Sequence, residues 1–274
     1  MELAATRAGA ADAEVNPRDA APLLGVDGVT VRFGGVTALQ DVTFNVARGT
    51  ICGLIGPNGA GKTTLFNCIS RIYVPDAGAI RFGNHPLARF ARHEIAALGI
   101  ARTFQNVALF STMTTRENVR VGAHALAKSG FLANALGFRS SAREERRVAE
   151  RADALIEEFS LAGVADRPAG GLPFAVRKRV ELARALAVDP KLILLDEPAS
   201  GLNHEEVGQI AEEIRAIRDR RGVAILLVEH HMNLVMRVSV QVVALDFGRV
   251  IADGAPEQVR ANSDVVRAYL GAAT

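Results

Sequence analysis

The chain has 274 residues, 49% of them hydrophobic and 23% charged, with 32 basic and 30 acidic side chains for a net charge of +2. That balance gives no general pull towards nucleic acid, and the composition is that of a globular protein with a real core, in one large domain or two small ones. Two cysteines, Cys52 and Cys68, are too few for a secreted disulfide scaffold, which points to a reducing cytosol, and no apolar run approaches the roughly 18 residues of a membrane span.

Residues 1–22, "MELAATRAGAADAEVNPRDAAP", are Ala-rich and interrupted by charges, so they read as a flexible tail without the apolar centre of a signal peptide. "VTVRF" (29–33) and "VTFNV" (42–46) alternate like half-buried strands. "TICGLIG" (50–56) is a continuous apolar run, as in a strand buried on both faces, and a helix from about Gly61 to Ser70 is expected after it. "AGAIRFG" (77–83) and "GIARTF" (99–104) read as further strands. Thr114 with Glu117, and Ser141 with Glu144, each offer a capping box. Val148, Ala152, Leu155, Ile156 and Phe159 then share one helical face, so residues 111–170 read as helical. Beyond them strand and helix alternate. "KLILL" (191–195), "VAILLV" (223–228) and "VVAL" (242–245) are buried strands, and Val207, Ile210, Ala211, Ile214 and Ile217 mark a helix between the first two. This order predicts an α/β fold with a mainly parallel sheet.

The strongest motif is "GPNGAGKTT", from Gly56 to Thr64, lying between an expected strand and an expected helix. Gly56, Pro57, Asn58, Gly59, Ala60 and Gly61 form a loop whose backbone N–H groups can curl around phosphate oxygens, with Lys62, Thr63 and Thr64 opening the helix. Lys62 brings a point charge to the β- and γ-phosphates of a bound nucleotide, and the Thr63 hydroxyl suits Mg²⁺. The second motif is "LILLDEPASGLN" (192–203): a buried strand ending in Asp196, placed to hold Mg²⁺ through water, and Glu197, placed to polarise an attacking water. "EHHM" (229–232) is not the zinc pattern H-E-x-x-H, and "DFG" (246–248) has no kinase catalytic loop before it and reads as a hairpin turn.

Together these motifs resemble an ATP-binding-cassette ATPase over about residues 26–271, with 23–274 as one cassette domain. The resemblance implies a P-loop NTPase (RecA-like) core, an antiparallel β subdomain and an inserted helical subdomain at about 108–172. It also implies roles: Gln105 in "RTFQN" would sense Mg²⁺ and couple to a transport partner, His230 would contact the γ-phosphate, Phe33 would stack on adenine, and Asn203 in "SGLN" would lie in the D-loop. Asn203, with Glu206 after it, is also a good helix cap. The words "GLIGPNGAGKTTLFN", "IARTFQN", "ALFSTMTTRENV" and "PEQVRANSDVVRAYLG" are similar to ATP-binding subunits of branched-chain amino-acid importers. That likeness implies a peripheral subunit on the inner face of the cell membrane. Its partners would be a second ATPase subunit, permease subunits and, indirectly, a solute-binding protein, with no nucleic acid.

The family signature, usually Leu-Ser-Gly-Gly-Gln, opens a helix that meets ATP held by the other subunit. Here it aligns with Leu172, Pro173, Phe174, Ala175 and Val176, and a basic run, Arg177, Lys178 and Arg179, follows. First turns favour acidic residues because of the helix dipole, so the basic start fits an anion, namely the γ-phosphate across a dimer. Proline suits a first helical position. If the Ala175 position needs φ > 0, alanine strains it by roughly 1 kcal/mol, and hydrolysis slows. The alternatives are a regulatory cassette with little turnover and a soluble ABC ATPase outside transport.

Overall fold

The computed structural model describes residues 22–103, 108–123 and 139–271. The expected tail, but for Pro22, and Gln105 lie outside them. In chain order the elements are β1 (Leu24–Phe33), β2 (Val36–Val46), β3 (Ile51–Ile55), α1 (Lys62–Ile69), β4 (Ala77–Phe82), β5 (His85–Pro86), α2 (Ile95–Leu98) and β6 (Ile100–Arg102). Then come α3 (Thr115–Ala123), α4 (Arg139–Glu158), α5 (Phe174–Leu186), β7 (Leu192–Asp196), α6 (His204–Arg221), β8 (Ala224–Val228), α7 (Met232–Val238), β9 (Gln241–Asp246), β10 (Arg249–Gly254), α8 (Pro256–Arg260) and α9 (Ser263–Gly271).

The strands form two sheets. The smaller is antiparallel, in the order β2-β1-β4-β5. β1 begins five residues before the alternation at 29–33 indicates, because Gly28 sits at φ 58 and the register with β2 shifts between Val26 and Val29. That bulge breaks the side-chain alternation mid-strand. The larger sheet runs β10-β9-β3-β8-β7-β6. Its neighbours pair in parallel except β10, which turns back on β9. Every residue of β3, β7 and β8 is buried, which explains their continuous apolar runs. Parallel strands send all their C-terminal ends to one edge, so Ile55, Asp196 and Val228 finish together and the loops that follow them converge.

The helices α3, α4 and α5 share a core containing Val119, Ala123, Ala152, Leu155, Ile156, Leu182 and Leu186. Thr114 and Glu117 form the expected capping box: the Glu117 N–H donates to Thr114 Oγ1 at 3.1 Å and the Thr114 N–H to Glu117 Oε2 at 2.7 Å. Ser141 does not start a helix, however, because α4 already runs from Arg139 through it. Nothing between them stops a helix from propagating, and each added residue gains a bond. Where α3 meets α5 the backbones nearly touch, since a Cβ on Gly122 would lie 2.1 Å from the Arg184 carbonyl oxygen. Gly122→Ala is therefore expected to destabilise the fold by about 1–3 kcal/mol. Thermal denaturation checks this; an unchanged Tm would show that the two helices do not approach so closely.

Candidate functional site

The phosphate loop is shaped by glycines in a region closed to side chains. Gly59 has φ 81 and Gly61 φ 102, and a Cβ on Gly61 would meet the Ala38 carbonyl oxygen at 2.7 Å. Helix α1 has no acidic residue in its first turn and no side-chain cap, so its first N–H groups stay open to an anion. Lys62 folds back into the loop. Its Nζ donates to the carbonyl oxygens of Gly56 at 2.6 Å and Pro57 at 2.8 Å, and the residue is only 6% exposed. Burial pulls the Lys62 pKa down, and the carboxylates of Glu197 and Asp196 push it back part of the way. The expected hairpin turn at 246–248 braces this loop: the Gly248 N–H donates to the Ala60 carbonyl at 3.0 Å, and the Gly248 carbonyl accepts the Gln40 N–H at 2.8 Å. Phe247 and Gly248 have φ 42 and 75, as a tight hairpin turn requires.

Asp196 ends β7, buried, and burial pushes its carboxyl pKa up while Arg102 pulls it down. Arg102 was not visible as a site residue in the sequence. Its Nη2 donates to Asp196 Oδ2 at 3.0 Å, and its Nη1 donates to Asn67 Oδ1 at 2.8 Å and Ser70 Oγ at 3.2 Å. It thereby joins the acidic strand end to the helix that opens at Lys62. Thr63 and Asp196 offer hard oxygen donors, and among the described residues no group of three or more His, Cys, Asp or Glu could hold a metal. That donor set fits Mg²⁺, which takes one or two protein oxygens and completes its shell with water and phosphate.

Glu197 adopts φ 49, a left-handed conformation that costs a non-glycine residue roughly 1–2 kcal/mol. Its N–H donates to the Val228 carbonyl at 2.9 Å, so the adjoining strand enforces the turn and aims the side chain. Glu197 Oε1 lies 2.6 Å from His230 Nε2. Glu229 is a second residue that reading the sequence passed over. It is 1% exposed, accepts the Ala199 N–H through Oε1 at 2.6 Å, and accepts the His230 and His231 N–H groups through Oε2 at 3.0 and 3.3 Å. One buried carboxylate thus fixes the segment after β7 against the segment after β8, which holds Glu197 and His230 in register.

A family model described as ABC transporter matches residues 39–200. The chain belongs to the ABC transporter family. A second model, described as branched-chain amino acid ATP-binding cassette transporter, matches residues 249–274. The chain is 42% identical over 252 residues to the high-affinity branched-chain amino acid transport ATP-binding protein BraF of Pseudomonas aeruginosa, covering 92% of this chain and 99% of that protein. It is 41% identical over 252 residues to LivG of Escherichia coli K12, the protein of the same description, with the same coverage. Among solved structures, an ABC transporter cassette in its ADP conformation superposes with a TM-score of 0.79 at 30% identity, covering 91% of this chain and 99% of that one. A nucleotide-free cassette gives 0.79 at 29% identity, covering 90% and 98%. The protein is an ATP-binding, ATP-hydrolysing subunit of an ABC importer, acting within a transporter complex.

The signature of this ABC ATPase differs from the sequence expectation in two ways. Pro173, at φ −53 and ψ 150, is the N-cap, and α5 begins one residue later at Phe174. Ala175 then sits inside the helix without a positive φ, so the strain expected of alanine there is absent. The basic run is also engaged within the chain. The Arg177 guanidinium and the Lys178 ammonium lie 5.4 and 5.6 Å from the Phe174 ring centroid, and Arg179 pairs with Glu213 at 2.8 Å. Phe174 in turn faces Gly201 in the segment after β7, where a Cβ would lie 3.1 Å from its ring. The helix start has neither an acidic first turn nor a side-chain cap, so its N–H groups remain free to meet an anion. Asn203 acts as the expected cap, accepting the Glu205 and Glu206 N–H groups at 3.0 Å each. Phe33 is 46% exposed and meets Tyr73 edge-to-face at 5.1 Å between centroids, which leaves ring surface for a partner.

Proposed function

We propose that this ATPase uses Mg²⁺ and powers uptake of branched-chain or other small amino acids. The observation that carries the catalytic reading is the 2.6 Å contact between Glu197 Oε1 and His230 Nε2 at the open ends of β7 and β8. Glu197 takes a proton from the attacking water as general base, and His230 orients it and meets the γ-phosphate. Lys62 and the backbone N–H groups of residues 58–64 cradle the phosphates, and Phe33 stacks on adenine. Thr63, Gln105 and Asp196 would hold Mg²⁺, which neutralises charge on the transferring phosphoryl. Pro173, Phe174, Ala175 and Asn203 face the nucleotide of a second ATPase subunit, with the free N–H groups of α5 taking the role the basic run does not. With Ala175 unstrained, nothing in the signature favours a cassette of little turnover.

Residues 23–274 form one cassette in this reading, with 108–172 as its inserted helical part. Phe110 and Met113, at the start of that part, are exposed apolar side chains suited to a permease subunit. A solute-binding protein acts through the permease. No described helix is long and apolar enough to cross a membrane, which fits a subunit docked on its inner face. The solute class is supported by the C-terminal match at 249–274 and by the relatives. The complex reconstituted in liposomes with its permease and binding protein should accumulate radiolabelled leucine, isoleucine or valine when ATP is supplied on the ATPase side. Hydrolysis without movement of any of them would overturn the solute assignment and leave the ATPase intact.

A further inference from the structure

The first residue of the phosphate loop is held from an unexpected direction. Tyr269 lies in α9, 213 positions along the chain from Gly56, and its Oη accepts the Gly56 N–H at 2.8 Å. Gly56 follows the last β3–β9 pair, Ile55 with Ala244, so it stands where the chain leaves the sheet. No side chain fits there, because at φ 150 a Cβ would meet the Leu245 carbonyl oxygen at 2.2 Å. The carbonyl of the same residue accepts Lys62 Nζ at 2.6 Å. Gly56 is thus tied to the C-terminal helix through its N–H and to the phosphate-binding lysine through its oxygen.

The anchor at the other end is firm. The Tyr269 ring packs on a core of Ile55, Val235, Val242, Val259 and Val265. Met232 and Met236, on the helix that follows His230, pack on the same core. Burial pushes the phenol pKa up, which keeps the hydroxyl neutral. Away from Tyr269 the helix stands off the loop: a cleft of about 560 Å³ separates Asn58 and Gly59 from Asp264 and Arg267. The contact is therefore local, a single hydroxyl set on a single loop amide.

We propose that Tyr269 is a positioning residue for nucleotide binding, its hydroxyl pinning the first amide of the phosphate loop so that the loop and Lys62 are preformed for ATP. The proposal rests on residues 56–64 being the phosphate cradle. Preorganisation of this kind acts on affinity, since ordering the loop at the moment of binding would otherwise cost free energy. Tyr269→Phe keeps the ring and its packing and removes only the hydroxyl. ATP and ADP should bind about two- to tenfold more weakly, as loss of one neutral hydrogen bond implies. Turnover at saturating ATP should stay within about twofold, because no group that touches the reacting atoms has changed. The Gly56 amide should exchange with solvent faster in the variant. Lys62→Ala, measured beside it, separates the two readings. Parental affinity in Tyr269→Phe alongside weak binding in Lys62→Ala overturns the proposal for Tyr269 alone. Parental affinity in both overturns the cradle itself and the proposal with it. A lower Tm with unchanged affinity and exchange would reduce Tyr269 to a packing residue and also overturn it.

Discussion

Glu197→Gln is expected to cut ATP turnover by about 10²–10⁴-fold while leaving ATP affinity within a few-fold of the parent. Glutamine keeps the length, the planar end group and an oxygen or N–H that can still face His230, so the 2.6 Å contact has a neutral substitute. It has no basic oxygen for the proton of the attacking water. The backbone should not change either, since the φ of 49 is imposed by the bond from the Glu197 N–H to the Val228 carbonyl. Binding without hydrolysis should then hold ATP, and in the assembled transporter it should hold two ATPase subunits closed. The measurement is steady-state phosphate release together with size-exclusion chromatography in ATP. His230→Ala should slow turnover as well. If His230 works by orienting Glu197, the double variant should be little slower than Glu197→Gln alone, because the two act as a unit. Unchanged turnover in Glu197→Gln would remove the residue from the mechanism.

What the sequence disclosed and what it hid follow from how far apart the partners lie. The phosphate loop, the Asp196–Glu197 pair and the buried strands are contiguous words, and their chemistry is local to those words. Arg102 is different: its meaning lies in Asp196, 94 residues away, and in the strand pairing of Arg102 with Leu194 that brings them together. Glu229 works on Ala199, 30 residues earlier, and Tyr269 on Gly56. A lone arginine in a short strand, a glutamate before two histidines and a tyrosine near the C-terminus carry no signal of their own. The absence of strain at Ala175 was hidden for a finer reason. Whether Ala175 is strained depends on whether it lies inside α5, and proline fixes φ but not ψ, so Pro173 fits either the cap or the first turn. Its ψ of 150 makes it the cap, and with either start Ala175 lies within the helix, where φ is negative and alanine carries no strain. The surroundings of the basic run were equally hidden: Arg177 and Lys178 lie beside the Phe174 ring and Arg179 pairs with Glu213 on α6, while Lys178 Nζ is buried without a hydrogen-bond partner among the described residues.

Lys62→Ala is expected to weaken ATP binding by about 10- to 150-fold, the equivalent of a charge-assisted hydrogen bond worth about 1.5–3 kcal/mol. The ammonium sits on the Gly56 and Pro57 carbonyl oxygens at 2.6 and 2.8 Å, neutral acceptors to which ATP adds charged phosphates. The added contact is favourable because a phosphate oxygen carries the opposite charge, and because the site is buried enough to strengthen the attraction. Arginine should not rescue it. The loop closes tightly around the lysine stem, and a planar fork cannot replace a compact point charge there. Thermal shift gives an independent reading: ATP should raise the Tm of the parent in proportion to the logarithm of its concentration over Kd, and raise that of Lys62→Ala far less. The apo variant should also melt somewhat earlier, since two carbonyls at the loop's entry lose their donor. Titration with a fluorescent ATP analogue decides the matter. Equal affinity for variant and parent would mean that residues 56–64 do not bind the phosphates, whatever their sequence.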